Sequence, residues 1–217
     1  MSINHHQREP PMPQPDHVMK LGLDIPDLEA VEDPKMKKYF DKCLEKIGFV
    51  PNVLQAYAAR PERWNAFVTS YHAIMDKETS TLTPLEREMI AVVVSSVNRC
   101  YYCLVAHGAS VRALSGDPEL GEMLVMNYRI AELSDRHRAM LDFAWKLTST
   151  PWEIDEPDRQ ALRDAGFTDS EIFDIGEVVG FFNFSNRMAY TVDMMPNREY
   201  HAQARPGDPA TKARAAE

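Results

Sequence analysis

The chain has 217 residues, 44% of them apolar and 26% charged, with a formal net charge of -9. That length supports a sizeable buried core in one or two domains. The acidic balance argues against binding to nucleic acid or to an anionic membrane surface, since both need a basic patch. No apolar run approaches the roughly 18 residues a membrane-spanning helix needs, so no membrane segment is expected. The polar, Pro-rich start MSINHHQREPPMPQPD lacks the apolar stretch of a secretory signal. Three cysteines do not make a secreted disulfide framework, and the Cys-x-x-Cys spacing of two of them reads as redox or metal chemistry in a reducing compartment. A cytoplasmic protein is expected.

Residues 1–20 contain four prolines and little apolar matter, which predicts a mobile N-terminal arm. The main domain is expected over 21–195. Asp33-Pro34 opens a helix with Met36, Tyr39, Phe40, Cys43, Leu44 and Ile47 at helical spacing, closed by Gly48. Cys43 lies on that apolar face and reads as a buried, inert thiol. A short helix follows from Pro51-Asn52 to Ala59. Another starts at Pro61, with Trp64, Phe67, Val68, Tyr71, Ile74 and Met75 on one face.

Thr83-Pro84-Leu85-Glu86 is a capping box with Pro at the first helical position. The helix it opens is apolar nearly all round from Met89 to Val97, so it should be buried. Asn98-Arg99 breaks it, and a further helix runs from about Cys100 to Leu114, stopped by Gly116-Asp117-Pro118. A short helix and a connection fill 118–130. Ser134 caps a helix to about Thr148. Asp155 to Ala165 forms another, closed by Gly166. Thr168 to Glu171 is a second capping box, opening a helix to about Asp193. From residue 196 a polar C-terminal tail is expected. No strand hairpin is evident, so the class is all-α.

A weak internal echo appears at a shift of 85 residues. Thr83, Glu86, Val93, Val94 and Asn98 fall on Thr168, Glu171, Val178, Val179 and Asn183, while Cys100 and Cys103 fall on Ser185 and Met188. The fold is thus expected to be two similar helical halves, or two capping boxes that feed apolar helices alike by chance.

The chemistry concentrates between Glu88 and His107, EMIAVVVSSVNRCYYCLVAH. On one helix Cys100, Cys103 and His107 share a face by their i,i+3 and i,i+4 spacing. Thiols in a first helical turn feel the positive end of the helix dipole, which favours thiolate. An imidazole nearby can take the thiol proton. Glu88, on a buried helix, needs a partner. The candidate catalytic residues are therefore Cys103, Cys100, His107 and Glu88, with Asn98 and Tyr102 beside them. A zinc site on Cys100, Cys103, His107 and Glu88 is the rival, although a second ligand pair of the usual spacing is missing. A thioredoxin-type site would need a strand–helix junction.

Glu88, followed twelve positions later by Cys100 and then by Cys103 and His107, resembles the signature of the alkylhydroperoxidase-D-like (AhpD-like) family within the carboxymuconolactone decarboxylase superfamily. The flanking stretches PNVLQAYAARPERWNAF and LRDAGFTDSEIFDIGEVVGFFNFSNRMA are similar to those of its longer peroxidase-related group. The resemblance spans about residues 20–195. It implies an AhpD-like helical fold that assembles as a homo-oligomer, a trimer or hexamer, and thiol-dependent reduction of a hydroperoxide substrate. It implies that Cys103 attacks the peroxide, that Cys100 closes the disulfide, and that His107 and Glu88 relay protons. No bound cofactor is implied. An external dithiol or redox-protein reductant, lipoyl-type or other, is. The best-studied branch has a His immediately before the second cysteine. Here that position is Tyr102, whose ordinary pKa near 10 makes it a poor base. A decarboxylase-like lyase acting on a small acid is the other enzymatic reading.

Overall fold

The computed structural model describes residues 14–76, 78 and 80–205. Among them are nine α-helices and four short 3-10 turns, with no strand. The helices are α1 (Pro34–Ile47), α2 (Asn52–Ala58), α3 (Pro61–Met75), α4 (Pro84–Val97), α5 (Tyr101–Ser115), α6 (Pro118–Asn127), α7 (Asp135–Ser149), α8 (Glu156–Asp164) and α9 (Asp169–Thr191). No helix among the described residues is long and apolar enough to cross a membrane.

The capping signals place these helices. Asp33 accepts from the N–H groups of Lys35 and Met36, and Gly48 closes α1 at φ 82°, where a side chain would be strained. Thr83 and Glu86 form the reciprocal capping box of α4, and Thr168 and Glu171 that of α9. The fold is organised around α4, whose residues Met89 to Val94 are all fully buried. Helices α5, α6, α7 and α9 surround it. Three consecutive valines disfavour a helix locally. Burial decides otherwise, since each such side chain removed from water contributes about 1.5–3 kcal/mol, which outweighs a propensity cost of a few tenths.

The two helices that carry the internal echo pack against each other. Arg136 of α7 binds both capping-box glutamates, with Nε 2.8 Å from Glu86 and Nη2 2.9 Å from Glu171, so α4 and α9 begin side by side. The echoed pair Asn98 and Asn183 are in direct contact, at 3.1 Å. The correspondence ends there. After Asn98 the chain turns and restarts as α5, whereas α9 runs on unbroken to Thr191. The likeness is between two packed helices rather than two halves.

The described parts of both termini differ from the loose arm and tail expected over 1–20 and 196–217. Residues 1–13 and 206–217, including His5 and His6, lie outside the described residues. From residue 14 on the chain pairs with the other end of the molecule. Lys20 N–H donates to the Val192 carbonyl at 2.8 Å, Gln14 Nε2 to Pro196 O at 2.6 Å, and Met19 is buried. On the other side, residues 196–205 fold back over α5. Arg112, 6% exposed, donates to the Tyr200 carbonyl at 2.9 Å and the Gln203 carbonyl at 3.2 Å. A buried guanidinium needs acceptors, and this segment supplies them. Gly121 makes room for it, because a Cβ there would meet Arg112 Cγ at 3.0 Å.

Candidate active site

The turn between α4 and α5 sets the site. Arg99 sits at φ 56°, a left-handed conformation uncommon for a non-glycine residue. The Tyr190 hydroxyl, shared between the carbonyls of Asn98 (3.1 Å) and Arg99 (2.6 Å), holds this turn from α9. Cys100 follows as the N-cap of α5, at φ -76° and ψ 100°. It therefore precedes the helix rather than forming its first turn, as the sequence reading had it. Its carbonyl accepts the first helical bond, from Leu104 N–H at 2.9 Å. Cys103 is the third residue of the helix, placed as the acid of a capping box would be.

Both thiols are buried, Cys100 at 2% exposure and Cys103 at 1%, and both are reduced. Their acidities diverge. The Cys100 pKa is lowered, first by the Cys103 thiol beside it, then by the N–H groups of Cys103 and Tyr102 at the helix start and by His107, against the opposing effect of burial. The Cys103 pKa is raised well above the ordinary thiol value, by the Cys100 sulfur first and then by burial. Within the pair, loss of a proton is thus favoured at Cys100 and its retention at Cys103.

Only one of the two lines a cavity. Cys103 lines a cavity of about 280 Å³ together with His107 and Ser185, and Cys100 is not part of its wall. Much of the remaining wall is aromatic, from Tyr39, Phe67, Tyr71, Phe181 and Phe182. Tyr200 and Gln203, from the folded-back C-terminal segment, complete it. So does Cys43, which the sequence places in the core. It is only half-buried, and burial raises its pKa.

His107 and Glu88, from α5 and α4, are brought together. His107 Nδ1 lies 2.7 Å from Glu88 Oε2, and the imidazole stands edge-on to Phe182 at 4.6 Å. A carboxylate at that distance accepts from Nδ1–H, which fixes the tautomer and leaves Nε2 as the basic nitrogen. Tyr102 also lines the cavity, and its hydroxyl accepts from Val53 N–H at 3.0 Å. Burial, with Tyr200 adding to it, raises its pKa well above 10, so it stays protonated and is not a base. Asn98 reaches the site indirectly, through Asn186 of α9. Sequence reasoning missed Ser185, Asn186, Tyr200 and Gln203. Ser185 stood out only as the echo of Cys100.

No group of three or more His, Cys, Asp or Glu side chains among the described residues is placed to hold a metal ion. The four residues of the zinc reading are occupied otherwise: Glu88 on His107, and the thiols on each other.

The profile of the carboxymuconolactone decarboxylase family matches residues 61–144, the span from α3 through most of α7. An uncharacterized peroxidase-related protein from Silicibacter sp. TM1040 is 57% identical, covering 89% of this chain and 100% of its own, with a TM-score of 0.84. A second, from Ralstonia eutropha JMP134 and described as an alkylhydroperoxidase AhpD core, is 40% identical over 88% of this chain and 98% of its own, with a TM-score of 0.83. The debrominase Bmp8 in complex with 2,3,4-tribromopyrrole shares the fold alone, at 17% identity and a TM-score of 0.69 over 87% of this chain and 96% of its own. No curated protein matches. The chain belongs to the carboxymuconolactone decarboxylase superfamily. Within it, the chain is a member of the AhpD-like, peroxidase-related group.

Proposed function

We propose that the protein is a thiol-dependent peroxidase that reduces hydroperoxides through Cys100 and Cys103. The observation that carries this reading is the convergence on one cavity of Cys103 and a His107 oriented by Glu88, with Cys100 directly behind Cys103. The Cys103 proton passes to the Cys100 thiolate. The Cys103 thiolate then attacks the terminal oxygen of the hydroperoxide. The O–O bond breaks, Cys103 becomes a sulfenic acid, and the alkoxide leaves as the alcohol with the proton from Cys100, relayed by His107. The Cys100 thiolate so formed attacks the sulfenic sulfur and expels hydroxide, which takes a proton from solvent, leaving a Cys100–Cys103 disulfide. An external dithiol, lipoyl-type or carried by a redox protein, reduces that disulfide and completes the cycle. The working unit is a homo-oligomer, a trimer or hexamer, acting in the cytoplasm.

Stoichiometric addition of an organic hydroperoxide to reduced protein should produce one Cys100–Cys103 disulfide per hydroperoxide consumed, seen by peptide mass spectrometry. Cys103→Ser should consume none. Unchanged consumption by that variant would exclude the mechanism.

A further inference from the structure

An anion on Cys103 is buried, and a buried anion needs donors. Two side chains of α9 are candidates. Ser185 lines the same cavity as Cys103, and its neighbour Asn186 is fully buried. Both act to lower the Cys103 pKa, against the larger opposing effects of Cys100 and burial.

The polarity of Asn186 is set by residues farther out. Arg187 can only donate, and its Nη1 is 2.9 Å from Asn183 Oδ1. The Val179 carbonyl can only accept, and it lies 3.0 Å from Asn183 Nδ2. Asn183 must therefore present its oxygen to Asn98, whose Nδ2 donates to it at 3.1 Å. The second hydrogen of that Nδ2 goes to Asn186 Oδ1 at 2.9 Å. Asn186 is left to use its own Nδ2 on the side facing α4 and α5. One hydrogen reaches Ser95 Oγ at 3.0 Å, and the other is available to sulfur.

We propose that Ser185 and Asn186 form a donor site for the Cys103 sulfur as an anion, and that Asn98 and Asn183 are positioning residues that fix its polarity. The role deepens the peroxidase reading and rests on it. In the resting pair the charge favours Cys100. Attack requires the proton to cross from Cys103 to Cys100, a transfer that creates no net charge and needs no added reactant. Donors from α9 lower the cost of that transfer. The titratable groups facing Cys103 are Cys100, Tyr102 and His107 from α5 and its cap, with Glu88 of α4 behind His107. The cavity wall adds Tyr71 of α3, Cys43 of α1 and Tyr200 of the C-terminal segment. The tyrosines among these carry neutral hydroxyls as well, and α9 adds the Ser185 O–H and the Asn186 N–H to them.

The test is site-resolved alkylation of the reduced protein by iodoacetamide across pH, read by mass spectrometry, with circular dichroism as the folding check. Ser185→Ala should slow Cys103 alkylation at neutral pH about tenfold and move its midpoint upward by about one pH unit, with little change at Cys100. Ser185→Thr, which keeps the hydroxyl, should restore the wild-type profile. Asn98→Asp, which puts an acceptor against the oxygens of Asn183 and Asn186, should move Cys103 in the same direction. If that variant does not fold, the Ser185 pair decides. A Cys103 profile unmoved in Ser185→Ala overturns the donor site. Because alkylation uses no peroxide, a shifted profile in a protein that consumes no hydroperoxide would overturn the peroxidase reading and leave the donor site standing.

Discussion

At the scale of single residues, the site turns on which sulfur carries the proton. Cys100 is the acidic thiol because Cys103 donates to it and the helix start faces it. Cys103→Ala should therefore raise the pH midpoint of Cys100 ionisation, measured by thiolate absorbance near 240 nm. Alanine is the informative choice, since serine would still donate. In Cys100→Ala, Cys103 loses both its proton acceptor and its disulfide partner, so any sulfenic acid formed should persist and react with dimedone. Glu88→Gln should lower turnover by about a hundredfold at little cost in KM, because it weakens the base without touching the cavity wall. The neighbourhood of Cys103 and His107 was legible in the sequence, since i,i+4 spacing on one helix is a strictly local relation. The division of labour between the thiols was not. It depends on Cys100 lying just outside the helix, and on Ser185 and Asn186, more than eighty positions away, arriving on α9.

At the scale of elements, the helix boundaries followed the caps closely, because Asp33, Thr83, Ser134 and Thr168 each satisfy free N–H groups of their own helix. What no cap signals is the tie between α4 and α9 through Arg136. This guanidinium stacks 3.7 Å over the Phe167 ring and holds two glutamates, of which Glu86 is 2% exposed. Burial pushes the Glu86 and Glu171 carboxyls up. Their hydrogen bonds to the capping threonines and to Arg136 more than offset this, and both pKa values end lowered. A lowered carboxyl contributes stability above the ordinary glutamate range, lost as pH falls through the folded-state value. Arg136→Met should cost about 2–3 kcal/mol at neutral pH, less than a fully buried pair because the guanidinium is partly exposed. The variant should also lose less of its remaining stability on acidification below about pH 4.5. Urea melts at neutral and acid pH would show both effects, and a variant with the wild-type acid sensitivity would disconnect Arg136 from the capping glutamates.

At the scale of the whole molecule, the two ends close the structure in a way their composition hides. Residues 14–20 and 196–205 are polar and Pro-containing, which reads as loose chain, yet they bring Met19 into the cluster around the thiols and Tyr200 into the cavity wall. Among the described residues, one face of α9 carries exposed aromatic side chains. Phe173 and Phe184 are 68% and 50% exposed, and between them Gly176 and Gly180 have open space where a Cβ would stand. The spacing 173, 176, 180, 184 forms one stripe along the helix. Two exposed aromatic rings flanking a bare backbone are poorly matched to water and well matched to a second helix. This is the face expected to pair in the oligomer. Light scattering should give three or six times the 24.7 kDa chain mass, and Phe184→Asp should lower it without unfolding the chain. A wild-type mass of one chain at all concentrations would end the oligomer expectation. An unaltered mass in both Phe173→Asp and Phe184→Asp would move the contact to another face. Because the opposite side of the same helix carries Ser185 and Asn186, splitting the assembly should also shift the Cys103 alkylation profile in Phe184→Asp, and an unmoved profile would show that α9 is held in place without the subunit contact.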